Sequence, residues 1–415
     1  MAQTHHIRSS DLRGVSRLAV EATVGLTDVV EAMHLNIARS TALLGAPAQG
    51  ATSGVTRLVY HGIRGVTRLV GGGLDAVLGG IVPMVPVIPL GGDGSTSRGR
   101  EAWLAALNGV LGDHLAASRN PLAIPMGLRR EGQPLEPGRS LAGAIPQPGG
   151  KLLVLAHGLC MNDLQWNRKG HDHGAALARD LSYTPLYLHY NSGLHISTNG
   201  RAFADLLEAV VSQWPVPLEE LSIVGHSVGG LVARSACHYG KLAGHEWPRH
   251  LKKLVFLGSP HHGSPLERSG NWVDFLLGTT PYSAPLARLG KIRSAGITDL
   301  RHGYLLDEDW AGRDRFERSR DSRRPVPLPE GVDCYAMAAV RGETGHSSQT
   351  SQTRGESWPS DGFVPSASAL GRHESPDLTL PLPESRQWIL HDVHHFDLLS
   401  APEAYEKIKE WLSQT

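Results

Sequence analysis

The sequence Gly225-His226-Ser227-Val228-Gly229 is a G-x-S-x-G pentapeptide, and its surroundings give it chemical meaning. It lies within LSIVGHSVGGLVARSA, where an apolar, strand-like run enters and a helical run through Leu231, Val232 and Ala236 leaves. A sharp strand-to-helix turn needs small residues on either side of the serine. That geometry projects Ser227 Oγ from the turn and sets a helix N-terminus beneath it. The chemistry this predicts is nucleophilic attack by Ser227; a plain Gly-Ser turn is the alternative.

A serine hydroxyl needs a base, and the base needs an orienting acid. On a scaffold of this kind they follow in the order Ser, acid, His. Asp361, in PSDGFVPSAS, follows a predicted strand across a loop and is the expected acid. Its alternative is an ordinary Asp-Gly turn. Asp333 stands at the wrong end of that strand, and Asp397 is too near the histidines to face them. The base lies in WILHDVHHFDLLS, where His391, His394 and His395 compete. His395 is favoured because Leu398 and Leu399 can pin its loop to the core. Backbone N–H groups must meet the charge that develops on the carbonyl oxygen. Val228 supplies one, and Leu159, in LLVLAHGLCMND, is expected to supply the other, with Cys160 as the alternative donor. Cys160 has no local base or helix N-terminus, so it reads as a packed small residue and not a nucleophile. His157 is expected to brace this loop.

The elements that must position these residues alternate from about Asn120 onward. Strands are predicted at 152–156, 185–189, 221–224, 253–257, 332–338 and 387–390. Helices are predicted at 174–181, 200–214, 229–239 and 401–412. This is the pattern of an α/β protein with a parallel sheet. Between 265 and 325 the alternation stops. That stretch carries Trp272, Phe275, Leu276 and Leu277 and then the charged run DEDWAGRDRFERSRDSRR, which suggests a lid-like insert with a solvated charged face. Ahead of the catalytic region, residues 1–118 read as helical, with apolar residues every three or four positions from Leu12 to Ile37 and a further helix at 100–117. GVTRLVYHGIR at Gly54 repeats as GVTRLVGGGLD at Gly65, an 11-residue period that keeps one face in register. Val55, Leu58, Val59, Ile63, Val66, Leu69 and Val70 line that face, opposite Arg57, Arg64 and Arg68. The expectation is a helix packed on the catalytic body, since its glycines weaken a free-standing helix. Contact with an anionic lipid surface is the alternative. The domain expectation is therefore 1–118 helical and 119–415 catalytic, with the insert at 265–325.

Composition narrows the partners. Lys+Arg and Asp+Glu number 40 each, so a formally neutral chain has no global pull toward nucleic acid. Three cysteines make neither a disulfide framework nor a metal knuckle. The 22 histidines are the unusual feature. His171 and His173 around Asp172, and the pair His261–His262, have ligand chemistry, but pairs alone do not make a metal site, and no metal or cofactor is expected. Charges at Arg8, Asp11, Arg13, Arg17 and Glu21 interrupt any signal-peptide core. Pro83, Pro86 and Pro89 argue against a membrane span at 71–92. The expected location is cytoplasmic, with peripheral membrane contact as the alternative.

HGLCMND, GHSVGGLVARSA, LGSPHHGS, SDGFVP and HHFDLL, in that order, resemble the α/β-hydrolase lipases and esterases. Within that group the resemblance is to bacterial triacylglycerol lipases and GPI inositol-deacylase-like hydrolases, and it covers about 151–415. It implies an α/β-hydrolase fold, a mostly parallel central sheet flanked by helices, here with an N-terminal helical extension and a lid-like insert. It also implies Ser227 as nucleophile, Asp361 as acid and His395 as base. Two departures stand out. The N-terminal helical region is not part of the common lipase domain, and the full metal-ligand set of some such lipases is not seen. The expected activity is hydrolysis of carboxylic esters, with acyl chains or lipids as substrates. Thioesters, amides and polyesters remain chemically open to the same triad. A lipid-surface or granule-binding protein is the competing class.

Overall fold

The computed structural model describes residues 10–11, 13–21, 98–135, 141–264, 293–315, 320–341 and 360–414. Two compact units are distinguished. The first comprises residues 1–100 and 115–123, of which 10–11 and 13–21 are helical. Within it, the Arg100 guanidinium grips both carboxylate oxygens of Asp11 at 2.6 Å, and Asn120 Nδ2 donates to Gly14 O at 3.0 Å. The 11-residue repeat, the proline-rich apolar segment and the insert residues Trp272, Phe275, Leu276 and Leu277 lie outside the described residues.

The second unit, residues 101–114 and 124–415, holds an eight-stranded sheet. Helix α1 (Arg98–Ala117), of which residues 101–114 belong to this unit, precedes in sequence a hairpin, β1 (Gly127–Arg130) and β2 (Gln133–Pro134). Then follow β3 (Lys151–Ala156), α2 (His173–Leu181), β4 (Thr184–His189), α3 (Ile196–Ser212), β5 (Glu220–His226), α4 (Val228–Ala243) and β6 (Leu251–Leu257). The chain closes with β7 (Asp333–Val340), β8 (Gln387–His391) and α5 (Pro402–Ser413). The strand order is β2-β1-β4-β3-β5-β6-β7-β8. Strands β3 to β8 are mutually parallel, and the hairpin joins β4 in antiparallel fashion.

All six sequence-predicted strands are present; five are extended by one to three residues, and the one predicted at 332–338 is shifted to 333–340. Except in the edge strand β8, where Trp388 is exposed, their apolar runs are buried on both faces, as a helix-covered parallel sheet requires: Leu152 to Ala156 are fully buried, as are Leu254 to Leu257. The covering helices form two packed pairs, α3 with α4 and α2 with α5. Gly200 on α3 lets α4 approach so closely that a Cβ there would lie 2.2 Å from Ser235 Oγ. Trp411 and Leu412 of α5 are buried, as the sequence predicts. The β1–β2 hairpin is not among the predicted elements. The charged run differs in part from the expected solvated face. Residues 311–315 and 320–322 are exposed, but Asp309 and Arg323 are buried. Among the described residues, no helix is long and apolar enough to cross a membrane.

Parallel register brings the carboxyl ends of β3, β5, β6, β7 and β8 to one edge, with Ala156 opposite Gly225, His226 opposite Leu257, and Leu257 opposite Met337. In open α/β sheets this edge is where ligands bind.

Candidate active site

Ser227 stands between the last residue of β5 and the first of α4, at φ 54° and ψ −125°. A non-glycine residue in this region is strained, and such strain persists only where the surroundings fix it. The surroundings here are the flanking glycines. A Cβ on Gly225 would lie 2.5 Å from the Gly230 backbone, and one on Gly229 would lie 2.2 Å from Ala156 O. The Ser227 N–H donates to Leu257 O at 2.8 Å, tying the turn to β6. Val228 opens α4, so its N–H has no intrahelical acceptor.

Asp361 and His395 meet in the interior. His395 Nδ1 lies 2.5 Å from Asp361 Oδ2, and both side chains are at most 1% exposed. The other carboxylate oxygen, Oδ1, accepts from the Phe363 and Val364 N–H groups at 2.9 and 2.8 Å. The Asp-Gly turn expected as an alternative is thus real, and it aims the carboxylate. The His395 ring rests on Gly258, directly after β6, and Phe363 and Phe396 approach it edge-on at 5.8 and 5.6 Å.

The competing residues lie elsewhere. His391 is exposed. His394 caps the turn His395–Leu399, its Nδ1 accepting from the Phe396 N–H at 3.5 Å, and burial together with the neighbouring His395 lowers its pKa. Asp397 accepts from the His394 N–H and from Lys169. Asp333 binds Arg386 at the start of β7.

The loop after β3 lies against the serine: a Cβ on Gly158 would be 3.1 Å from Ser227 Cβ. Leu159 follows directly, 2% exposed. The Cys160 N–H is already committed to Ser192 Oγ at 3.0 Å, which removes it as an alternative donor. Its thiol is buried, and desolvation raises its pKa, as suits a packed residue. His157 Nδ1 donates to Gly158 O at 2.9 Å, its ring stacks on Tyr190, and Tyr190 OH donates to His157 O. Burial holds the His157 pKa down to about 3, so it stays neutral and braces the loop.

The sequence did not single out His226. It is fully buried, its ring centre lies 4.8 Å from that of His395, and its Nε2 donates to His395 O at 3.3 Å. Its place as the first variable residue of G-x-S-x-G was the available signal. The GHDHG histidines also serve this site. His171 Nε2 donates to His173 Nδ1 at 2.9 Å, and His173 Nε2 donates to Leu398 O at 2.9 Å, within the turn that carries His395. Asp172 caps α2. Among the described residues, no group of three or more His, Cys, Asp or Glu side chains could hold a metal ion.

A mostly parallel eight-stranded sheet, a strained serine turn after β5, and an acid and a histidine beyond β7 and β8 define the α/β-hydrolase fold. Residues 151–323 match the PGAP1-like alpha/beta domain family. No curated protein matches the chain. Among solved structures, the mature Bacillus licheniformis lipase BlEst2 is similar at 17% identity, covering 65% of this chain and 96% of that one, with TM-score 0.42. Phospholipase PlaB from Legionella pneumophila is similar at 15% identity, covering 64% of this chain and 60% of that one, with TM-score 0.41. The Pyrococcus furiosus esterase Pf2001 is similar at 12% identity, covering 64% and 80%, with TM-score 0.36.

Proposed function

We propose that this chain is a serine hydrolase of carboxylic esters that works through an acyl-enzyme. The observation that carries the reading is the buried 2.5 Å pair between His395 Nδ1 and Asp361 Oδ2, at the same sheet edge as the strained Ser227. An ionised Asp361 can only accept, so the ring proton sits on Nδ1 and Nε2 is left as the base. Asp361 cannot swing away, because two backbone N–H groups hold its second oxygen.

In the proposed reaction, Ser227 Oγ attacks the ester carbonyl while His395 Nε2 takes its proton. The Val228 and Leu159 N–H groups hold the oxyanion. The alkoxide leaves with the proton from His395, giving an acyl-Ser227 ester. A water then attacks that ester, losing its proton to His395, and Ser227 leaves as the hydroxyl with the acid product. Acyl chains or lipids are the proposed substrates. The sequence feature that favours them, the apolar residues Trp272, Phe275, Leu276 and Leu277, lies outside the described residues.

Fluorophosphonate labelling and turnover of p-nitrophenyl butyrate test the reading. Ser227→Ala should abolish labelling and lower kcat by at least about 10³-fold. Undiminished turnover in that variant would sink the assignment. A series from butyrate to palmitate then reads the acyl preference.

A further inference from the structure

We propose that a cavity beside the nucleophile helix, separate from the active site, binds a phosphate-class oxyanion. The cavity measures about 230 Å³, and its walls include Arg234, His261, Arg323, Val326 and Thr379. Ser227, Asp361 and His395 do not line it.

Arg234 projects from α4 and is 4% exposed. Its Nη1 donates to His261 Nδ1 at 3.2 Å and its Nη2 to Val326 O at 2.6 Å, while Nε has no acceptor among the described residues. No carboxylate among the described residues pairs with it. Arg323, also buried, donates to His261 O at 3.1 Å and to His262 Nδ1 at 2.8 Å, with Asp321 3.4 Å away. Two guanidinium groups therefore converge on His261.

The tautomer of His261 follows from its partner. A guanidinium N–H only donates, so Nδ1 accepts and the ring proton lies on Nε2. That buried N–H also has no acceptor among the described residues. The acidic wall residue Asp309 does not answer these donors. Its Oδ2 accepts from the Leu305 and Leu306 N–H groups, and its Oδ1 from that of Arg324. Buried donors without acceptors, and a buried cation without a counter-charge, are costly. A tetrahedral oxyanion offers several acceptors and a negative charge at once, and the planar fork of arginine matches it. The cavity far exceeds the roughly 30 Å³ share of one water, so a polyatomic anion fits. Burial, and then the Arg323 charge, pull the Arg234 pKa down to about 10, in keeping with a cation that has no carboxylate partner among the described residues.

Isothermal titration of the full chain with sodium phosphate, against sodium chloride at equal ionic strength, tests the proposal. The expected result is saturable binding of one phosphate per chain with a phosphate-dependent rise in Tm. Arg234→Gln should weaken binding at least about tenfold. If that variant does not fold, Asp377→Lys carries the test: Asp377 is an exposed wall residue, and reversing its charge should tighten binding about threefold at low salt and not at high salt. Glycerol 3-phosphate binding alongside phosphate would assign the site to a phosphomonoester, and binding of phosphate alone to the free ion; either supports the proposal. An absence of saturable binding in the wild type, or affinities unmoved in both variants, overturns it. Ser227→Ala should bind phosphate unchanged, so this result is independent of the hydrolase reading.

Discussion

Replacing Gly258 with alanine would perturb the proposed base without touching it. Gly258 sits directly after β6 at φ +60°, and an added Cβ would lie 2.9 Å from His395 Cε1, 3.0 Å from its Nδ1 and 3.0 Å from Leu398 Cδ1. Two costs follow. An alanine in the left-handed region costs about 1–2 kcal/mol. Relief of the contacts needs the imidazole to retreat by about half an ångström to reach ordinary van der Waals distance, because the opposing atom belongs to a ring and not to the end of a flexible chain. That retreat acts on a ring fixed at 2.5 Å from Asp361 Oδ2. Misplacement by about 1 Å can cost roughly 100-fold in rate, so half that shift predicts a loss of about tenfold in kcat. Differential scanning calorimetry should show a Tm lower by a few degrees, at about 2–4 °C per kcal/mol. Steady-state turnover of p-nitrophenyl butyrate, measured well below that Tm, reads kcat. A variant with lowered Tm and a kcat within twofold of wild type would refute the reasoning, since the ring would then have moved without consequence.

Two further outcomes follow from the buried groups. His157 and His173 are held neutral by burial, with pKa values down to about 3 and about 4, and burial also holds His226 and His261 well below the ordinary value. Below the unfolded value of about 6.5 only the unfolded chain gains these protons, so stability should fall as pH drops from about 6.5 toward 4, by up to about 1.4 kcal/mol per pH unit for each histidine. A Tm that stays level from pH 6.5 to 4.5 would contradict this account. Cys160→Ala should retain kcat within about twofold, and native protein should resist iodoacetamide at pH 8, because the buried thiol stays protonated; rapid inactivation traced to Cys160 would argue against a packing role.

The parallel sheet was legible because its strands from β3 to β7 are short apolar runs buried on both faces, and such runs are visible without knowledge of the partner strands. The β1–β2 hairpin was not, since Leu128 is the one buried residue in Gly127–Arg130 and arginines follow it. The start of α3 escaped for another reason. Its N-terminal Ile196 N–H is capped by Asp299, 103 residues away, a contact no local pattern announces. The same non-locality governs the site. Sequence spacing nominated Ser227, Asp361 and His395, whereas the pairing of one of three histidines with Asp361 is visible only in the fold. The exclusion of Cys160 as a donor rests on Ser192, 32 residues further on. GHDHG looked like metal-ligand chemistry because its acceptor, Leu398 O, lies 225 residues from His173.

The sheet order carries a consequence for synthesis. Ser227 closes its turn on β6, whereas Asp361 and His395 are reached only after β7 and β8 join the growing edge. A chain made only as far as β6 would contain the anchor of the serine turn, Leu257 O, but neither the proposed acid nor the proposed base. Competence in the proposed reaction would thus arrive only once β8 and the turn carrying His395 have been made, after β3 to β7.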